Sequence, residues 1–233
     1  MFMSFAASTV QSSAGMQSFA MGAPWMGPTD HEPVVRTRSA GKALHVSPDQ
    51  KIYSEGDAAT IFFKVVSGVV RTCKFLHDGR RQIDAFHVAG DIFGVEAGTA
   101  YGYSAEAVSD CTVISYRRQE LDNSAIKDAG FSRQLFSYAM RSLARAQEHA
   151  LLLGRKSAIE KVAAFLMDWA GHSSDRGMIV LAMTRQDIAD YLGLTIETVS
   201  RTLSQLEREG VIELASARQI RLTDRAALEM LGS

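Results

Sequence analysis

Glu197, Ser200 and Arg201 form an E-x-x-S-R run whose donors and acceptors match the edges of DNA base pairs. An arginine has the forked donor geometry to bond guanine O6 and N7 together. A glutamate accepts from the exocyclic amine of cytosine or adenine, and a serine is short enough to lie against thymine. Each good contact of this kind contributes roughly 1–3 kcal/mol of base discrimination. Thr184, Arg185, Gln186, Thr195 and Thr198 stand where two helices should begin. Helix starts attract anions, so these residues are expected on phosphates, fixing register without reading sequence.

The elements that must position these groups lie within Thr184 to Gly210. Ala189, Gly193 and Val199 occupy the offsets of a helix-turn-helix: a small residue for close approach, a glycine for the bend, an apolar residue to join the helices. Thr184 can cap the first helix with Asp187 completing a capping box, and Thr195 can cap the second. Ile188, Leu192, Leu194, Val199, Leu203 and Leu206 supply a buried face. Ile196, Glu197, Thr198, Ser200, Arg201 and Ser204 are left on or near the outward face of the helix that would enter a major groove. An ordinary amphipathic helix pair would share the Ala, Gly and Val. The polar E-x-x-S-R face favours DNA binding, and so does the segment after Gly210. There two short β-type runs, Val211 to Leu214 and Gln219 to Leu222, are split by Ala215-Ser216-Ala217 and predict a wing.

Upstream, Phe131 to Leu153 has neither proline nor internal glycine and predicts a long helix. Phe136, Met140, Leu143, Gln147 and Ala150 fall at alternating spacings of four and three, a heptad seam. A second stripe, Leu135, Ala139, Ala146 and Leu153, is expected to pack on the chain's own barrel. A helix apolar on two faces suits a two-fold homodimer, the alternative being one buried helix in a monomer. Gly154 is expected to end it, with Ser157 capping a further helix over Ala158 to Trp169. His172 to Gly177 reads as a polar loop and Met178 to Leu181 as a strand.

From Leu44 to Tyr116 the pattern changes to short runs rich in Val, Ile, Phe and Tyr, punctuated by glycines. Ser67-Gly68 and His77-Asp78-Gly79 both read as hairpin signals. Strands at short regular spacing predict a small antiparallel barrel or jelly roll. Residues 1–43, rich in Ser, Ala, Gly and Met, show no periodicity and predict a flexible tail. The expected order is therefore tail (1–43), β-barrel (44–130), dimerisation helix (131–154) and winged helix-turn-helix (155–233).

Composition narrows the function. With 233 residues, 46% apolar and 22% charged, the chain is ordinary globular material for two domains. A net charge of −1 supplies no global attraction to nucleic acid, so affinity must come from a few placed cations and from dimerisation. Cys73 and Cys111, the only two cysteines, cannot build a disulfide framework and fit a reducing compartment. No apolar run approaches the roughly 18 residues of a membrane span, and Met1 to Ala20 does not read as a signal peptide. A cytoplasmic protein is expected.

Gly56-Asp57, Ser67-Gly68-Val69-Val70-Arg71, Asp78-Gly79-Arg80-Arg81-Gln82-Ile83 and Gly90-Asp91-Ile92-Phe93-Gly94, together with the winged helix, resemble the Crp/Fnr superfamily of bacterial transcription regulators. The likeness runs from about Leu44 to Leu231. Leu152-Leu153-Gly154-Arg155-Lys156-Ser157-Ala158 and Met183 to Arg201 look most like its FixK branch. The resemblance implies an α+β fold: an N-terminal antiparallel β jelly roll of the cyclic-nucleotide-binding type, a long dimerisation helix and a C-terminal winged helix-turn-helix domain. It also implies a homodimeric activator that meets RNA polymerase and serves microoxic or anaerobic gene expression. Its half-sites would be of TTGA type, as TTGA-N6-TCAA. Ile196 stands where cyclic-AMP regulators carry an arginine, which moves the expected site away from their TGTGA half-site.

The family's ligands fit less well. Cyclic-AMP binders place a glutamate directly after the Gly-Asp-x-x-Gly segment, and then an Arg-Ser pair for the cyclic phosphate. Here Val95 follows Gly94, with Glu96 one place late, and the later pair is Tyr103-Ser104. A buried phosphate without its arginine would be poorly compensated. Fnr holds an iron–sulfur cluster with four cysteines, and two are present here. Haem-sensing relatives use a barrel histidine. His77 and His87 qualify by position, though an exposed hairpin and a strand edge are the expected settings. Cys73 and Cys111 read as small apolar strand residues. A cupin-type metalloenzyme would need an H-x-H pair, which the sequence lacks. The expectation is a regulator with no cofactor, metal or catalytic residue; the alternative is a regulator of the same family gated by haem or another small molecule.

Overall fold

The glycine-punctuated run folds as two facing antiparallel sheets. The computed structural model describes residues 41–119, 129–173 and 177–232. The expected tail therefore lies, as far as residue 40, outside the described residues. The strands are β1 (Lys42–Val46), β2 (Lys51–Tyr53), β3 (Ile61–Ser67), β4 (Val70–Phe75), β5 (Arg81–His87), β6 (Ile92–Phe93), β7 (Ser104–Ala107) and β8 (Cys111–Arg117). One sheet runs β1-β8-β3-β6 and the other β2-β7-β4-β5. Val46, Phe63, Val65, Val70, Phe93, Ala105 and Val113 are buried between them. Burying a large apolar side chain contributes about 1.5–3 kcal/mol, so this layer is the barrel's main source of stability.

Only one of the two expected hairpins forms. At Asp78-Gly79 the chain reverses, Gly79 takes φ +82°, and β4 pairs with β5. At Ser67-Gly68 it does not pair back: β3 bonds β8 and β6, while β4 bonds β7 and β5. Gly68 is instead a corner at which the chain changes sheets. Its φ is +84°, and a Cβ there would collide with the Asp110 carbonyl. The dipeptide signals a sharp reversal equally well in either setting, and pairing across sheets is a long-range decision.

The long helix, α1 (Ala129–Arg155), is continuous through Gly154, which therefore does not end it. The next helix, α2 (Ala158–Ala170), begins at Ser157, whose N–H donates to the Glu160 carboxylate at 2.6 Å. The expected inner stripe is also corrected. Ala139 and Ala146 are exposed, Leu153 is half-buried beside Gly193 of the helix-turn-helix rather than on the barrel, and the Leu135 side chain lies outside the described residues. Tyr138, Arg145 and His149 face the body of the chain in their place. The Tyr138 hydroxyl donates to the Ile92 carbonyl at 2.8 Å, and Arg145 pairs with Asp91 at 3.6 Å. Tyr138 reaches a barrel carbonyl, Arg145 a barrel carboxylate and His149 the Tyr191 carbonyl, contacts that alanines cannot make and that an apolar stripe does not mark.

The C-terminal portion comprises α2, β9 (Met178–Val180), α3 (Arg185–Leu192), α4 (Ile196–Arg208), β10 (Ile212–Leu214), β11 (Gln219–Leu222) and α5 (Arg225–Gly232). The strands form a small sheet in the order β10-β11-β9. Phe165, Leu166, Ile179, Leu181, Ile188, Leu203 and Ile220 make its core. That core does not stop at the domain junction. Val69, Phe86, Val88 and Val108 from the barrel pack into it. Residues 174–176 of the expected polar loop lie outside the described residues. Among the described residues no helix is long and apolar enough to cross a membrane.

Candidate nucleic-acid interface

Local chemistry builds the α3–turn–α4 unit. The Thr184 hydroxyl accepts from the Asp187 N–H at 3.1 Å, and the Asp187 carboxylate accepts from the Thr184 N–H at 3.0 Å, which closes the capping box. Gly193 comes next, in the left-handed region at φ +62°, its N–H donating to the Ala189 carbonyl. Thr195 then caps α4, accepting from the Thr198 N–H at 3.2 Å. Val199, Thr202, Leu203 and Leu206 are the buried face of α4.

Glu197, Ser200 and Arg201 are all exposed on the opposite face of α4, within one turn of one another. The Ser200 hydroxyl donates to the Ile196 carbonyl at 2.7 Å, which fixes its rotamer. The Glu197 carboxyl sits below the usual range, held there by its own N–H, by Thr195 and by the nearby Arg201. It is an acceptor at neutral pH. Ile196, half-exposed, lies beside them.

Thr184, Arg185 and Gln186 line up along the start of α3, and Thr195 and Thr198 along the start of α4. Much of this polarity is already engaged. The Thr184 hydroxyl donates to Asp187 at 2.8 Å, Gln186 donates to Asp190 at 2.7 Å, and the Thr195 and Thr198 hydroxyls share a bond at 3.1 Å. Arg185 differs. Its Nη1 is buried with no hydrogen-bond partner among the described residues, and desolvation lowers the guanidinium's pKa.

The heptad seam is open to solvent in the single chain. Phe136 is 67%, Leu143 50% and Met140 48% exposed, with Gln147 and Ala150 exposed beside them. Leu151, 59% exposed, extends the same surface. The stripe leaves large apolar side chains in solvent along one face of α1.

The barrel interior is occupied by the chain's own rings. Tyr53 stacks on Tyr101 at 3.7 Å and on Phe63 at 5.7 Å, and Phe63 stacks on Phe93 at 5.2 Å. The His87 imidazole lies against Phe93 at 5.2 Å and shares a hydrogen bond with the Thr72 hydroxyl at 3.2 Å. Burial pushes its pKa down to about 4. His77 is exposed in its hairpin. Ser104 accepts from the Glu55 N–H at 2.9 Å, and Glu96 accepts from the Gly102 N–H at 3.2 Å, so both are spoken for within the fold. Cys73 and Cys111 are buried, and burial pushes the Cys73 thiol up to about 11.

One group of residues escaped the sequence reading. Arg71 and Arg81 reach from the barrel to α3 and pair with Asp187 and Asp190, and Gln82 donates to the Tyr191 carbonyl. Arg71 sits in the run Val69 to Cys73, which otherwise reads as an apolar strand. A charge in a buried strand demands a partner, and that demand was the signal.

An antiparallel β sandwich, a long helix with a bare apolar face and a winged helix-turn-helix together define a DNA-binding transcription regulator. Residues 43–127 match the cyclic nucleotide-binding domain and residues 160–231 the Crp-like helix-turn-helix domain. The chain is 49% identical over 190 residues to the nitrogen fixation regulation protein FixK of Azorhizobium caulinodans, covering 79% of this chain and 77% of that one. It is 41% identical over 193 residues to the transcriptional activatory protein AadR of Rhodopseudomonas palustris, covering 80% and 79%. The structure of FixK2 from Bradyrhizobium japonicum superposes with a TM-score of 0.81 at 43% identity, covering 84% of this chain and 98% of that one. The chain belongs to the Crp/Fnr family of transcription regulators and, within it, to the FixK type. These relatives are regulators.

Proposed function

We propose that the protein is a cytoplasmic homodimer that activates transcription from palindromic TTGA-N6-TCAA sites without cyclic AMP, an iron–sulfur cluster or another bound effector. Arg201 and Glu197 read base edges, Ser200 lies against thymine, and the starts of α3 and α4 hold phosphates. The single observation carrying this reading is the exposed Glu197–Ser200–Arg201 face on α4, with the Glu197 carboxyl held below its usual range. Arg185, partly exposed at the start of α3, supplies a cation beside that phosphate position.

The seam of Phe136, Met140, Leu143, Gln147 and Ala150 joins two copies, placing two recognition helices about one helical turn apart on the duplex. The division into tail, barrel, dimerisation helix and winged domain at about residues 43, 130 and 154 accords with the same reading. Independence from an effector is supported by the aromatic filling of the barrel. RNA polymerase is the expected partner of the bound dimer, and microoxic or anaerobic genes its expected targets.

The deciding experiment is binding of ligand-free protein to labelled TTGA-N6-TCAA, with a TGTGA-type duplex tested beside it with and without cyclic AMP. Tight, selective binding to the first without additives is expected. Binding that appears only with cyclic AMP or haem would replace this reading with a ligand-gated one.

A further inference from the structure

The first helix of the helix-turn-helix is gripped at both ends by residues outside its own domain. Near its N-terminal end the Asp187 carboxylate accepts from Arg71 at 3.1 Å and from Arg81 at 2.5 Å, and about one turn on Asp190 accepts from Arg81 at 2.8 Å. At its C-terminal end the Tyr191 carbonyl accepts from His149 of α1 at 2.9 Å and from Gln82 of β5 at 3.3 Å. Arg71 is itself immobilised, donating to Glu106 at 2.8 Å and to Asp49 at 3.0 Å.

These contacts are directional. Phe86 of β5, set among Phe165, Trp169 and Tyr191, gives the junction apolar adhesion but tolerates sliding. A forked guanidinium shared between two carboxylates one helical turn apart does not. The side chains are mostly shielded from solvent, 17% exposed for Arg81 and 3% for Asp187, so salt screens them weakly.

We propose that Arg81, backed by Arg71, is a positioning residue for DNA recognition. By tying Asp187 and Asp190 to the β4–β5 hairpin, it sets the angle and separation at which the dimer presents its two recognition helices. It thereby sets the half-site spacing that the protein accepts. The proposal rests on the dimeric, palindrome-reading function above. One added base pair moves a half-site by about 3.4 Å along the duplex and about 36° around it, a displacement that a rigidly held helix pair rejects and a loosely held pair accommodates.

The test compares full-length wild type, Arg81→Gln and Arg81→Lys on TTGA-N5-TCAA, TTGA-N6-TCAA, TTGA-N7-TCAA and a scrambled duplex. Arg81→Gln should keep the dimer and its preference over the scrambled duplex. Its preference for N6 over N5 and N7 should fall roughly tenfold, within the usual range of coupling between sites. Arg81→Lys should recover part of that preference. A uniform loss of affinity at every spacing, with the N6 preference intact, would mean that Arg81 only stabilises the fold and would overturn the proposal.

A second readout needs no DNA. The distribution of distances between spin labels at Val66 on the barrel and Ser204 on α4 should broaden in Arg81→Gln, and in Asp190→Asn should the first variant fold poorly. An unchanged narrow distribution would also overturn the proposal. Wild-type protein that cannot tell TTGA-N6-TCAA from the scrambled duplex would instead remove the functional reading, and the label distances would still decide whether the latch exists.

Discussion

Tyr53 and Tyr101 lie face to face with ring centroids 3.7 Å apart inside the barrel, where Phe63 and Phe93 complete the stack. Aromatic rings at this separation leave no room for an intervening base or sugar. Cyclic AMP at millimolar concentration should therefore leave the melting temperature unchanged in a thermal shift assay, since a ligand that binds the native state must raise it. Tyr101→Ala should cost about 3–5 kcal/mol by opening a cavity, measured by urea denaturation.

Arg201 projects from α4 into solvent, away from the helix's buried face. Arg201→Ala should keep the wild-type melting curve and lose the distinction between TTGA-N6-TCAA and a scrambled duplex. With two copies per dimer, the loss of discrimination should be about 2–6 kcal/mol by competition binding. A variant that retained full sequence preference would take base reading away from this residue.

Leu143 is half-exposed at the centre of the bare seam on α1. Leu143→Asp places two carboxylates opposite each other across a two-fold axis, where desolvation and like charge both oppose association. Sedimentation should show a shift from dimer to monomer, with Gln147→Lys acting in the same direction. A dimer that persisted unchanged in both variants would move the interface elsewhere.

His87 is neutral in the folded chain, its pKa pushed down to about 4 by burial. Unfolded histidine titrates near 6.5, so between about 6.5 and 4 the unfolded state binds the extra proton. Stability from this group is complete above that window and is lost as pH falls through it, by up to about 1.4 kcal/mol per pH unit. Urea midpoints measured from pH 7 to 4 should show that slope in the wild type, and His87→Gln should flatten it.

The helix-turn-helix was legible because its determinants are local. Thr184 and Asp187 lie three residues apart, Gly193 needs only its own φ, and the polar face of α4 reflects a 3.6-residue period. The exposed apolar stripe on α1 was legible for the same reason. The inward face of α1 was not legible because Tyr138 and His149 dock through hydrogen bonds and Arg145 through an ion pair, and no apolar pattern announces these. Ser67-Gly68 was misread because a sharp reversal does not say which sheet the next strand will join.

By itself, then, the sequence determined the local pieces: where helices start, which faces are apolar, which side chains could meet a base, and which family ligands lack their partners. Tertiary structure alone decided what those pieces hold. Arg71 meets Asp187 across 116 positions of chain, and no periodicity carries a pairing over that distance. The aromatic filling of the barrel and the grip on α3 arise when two sheets and two domains close on each other, because packing and charge pairing depend on neighbours in space.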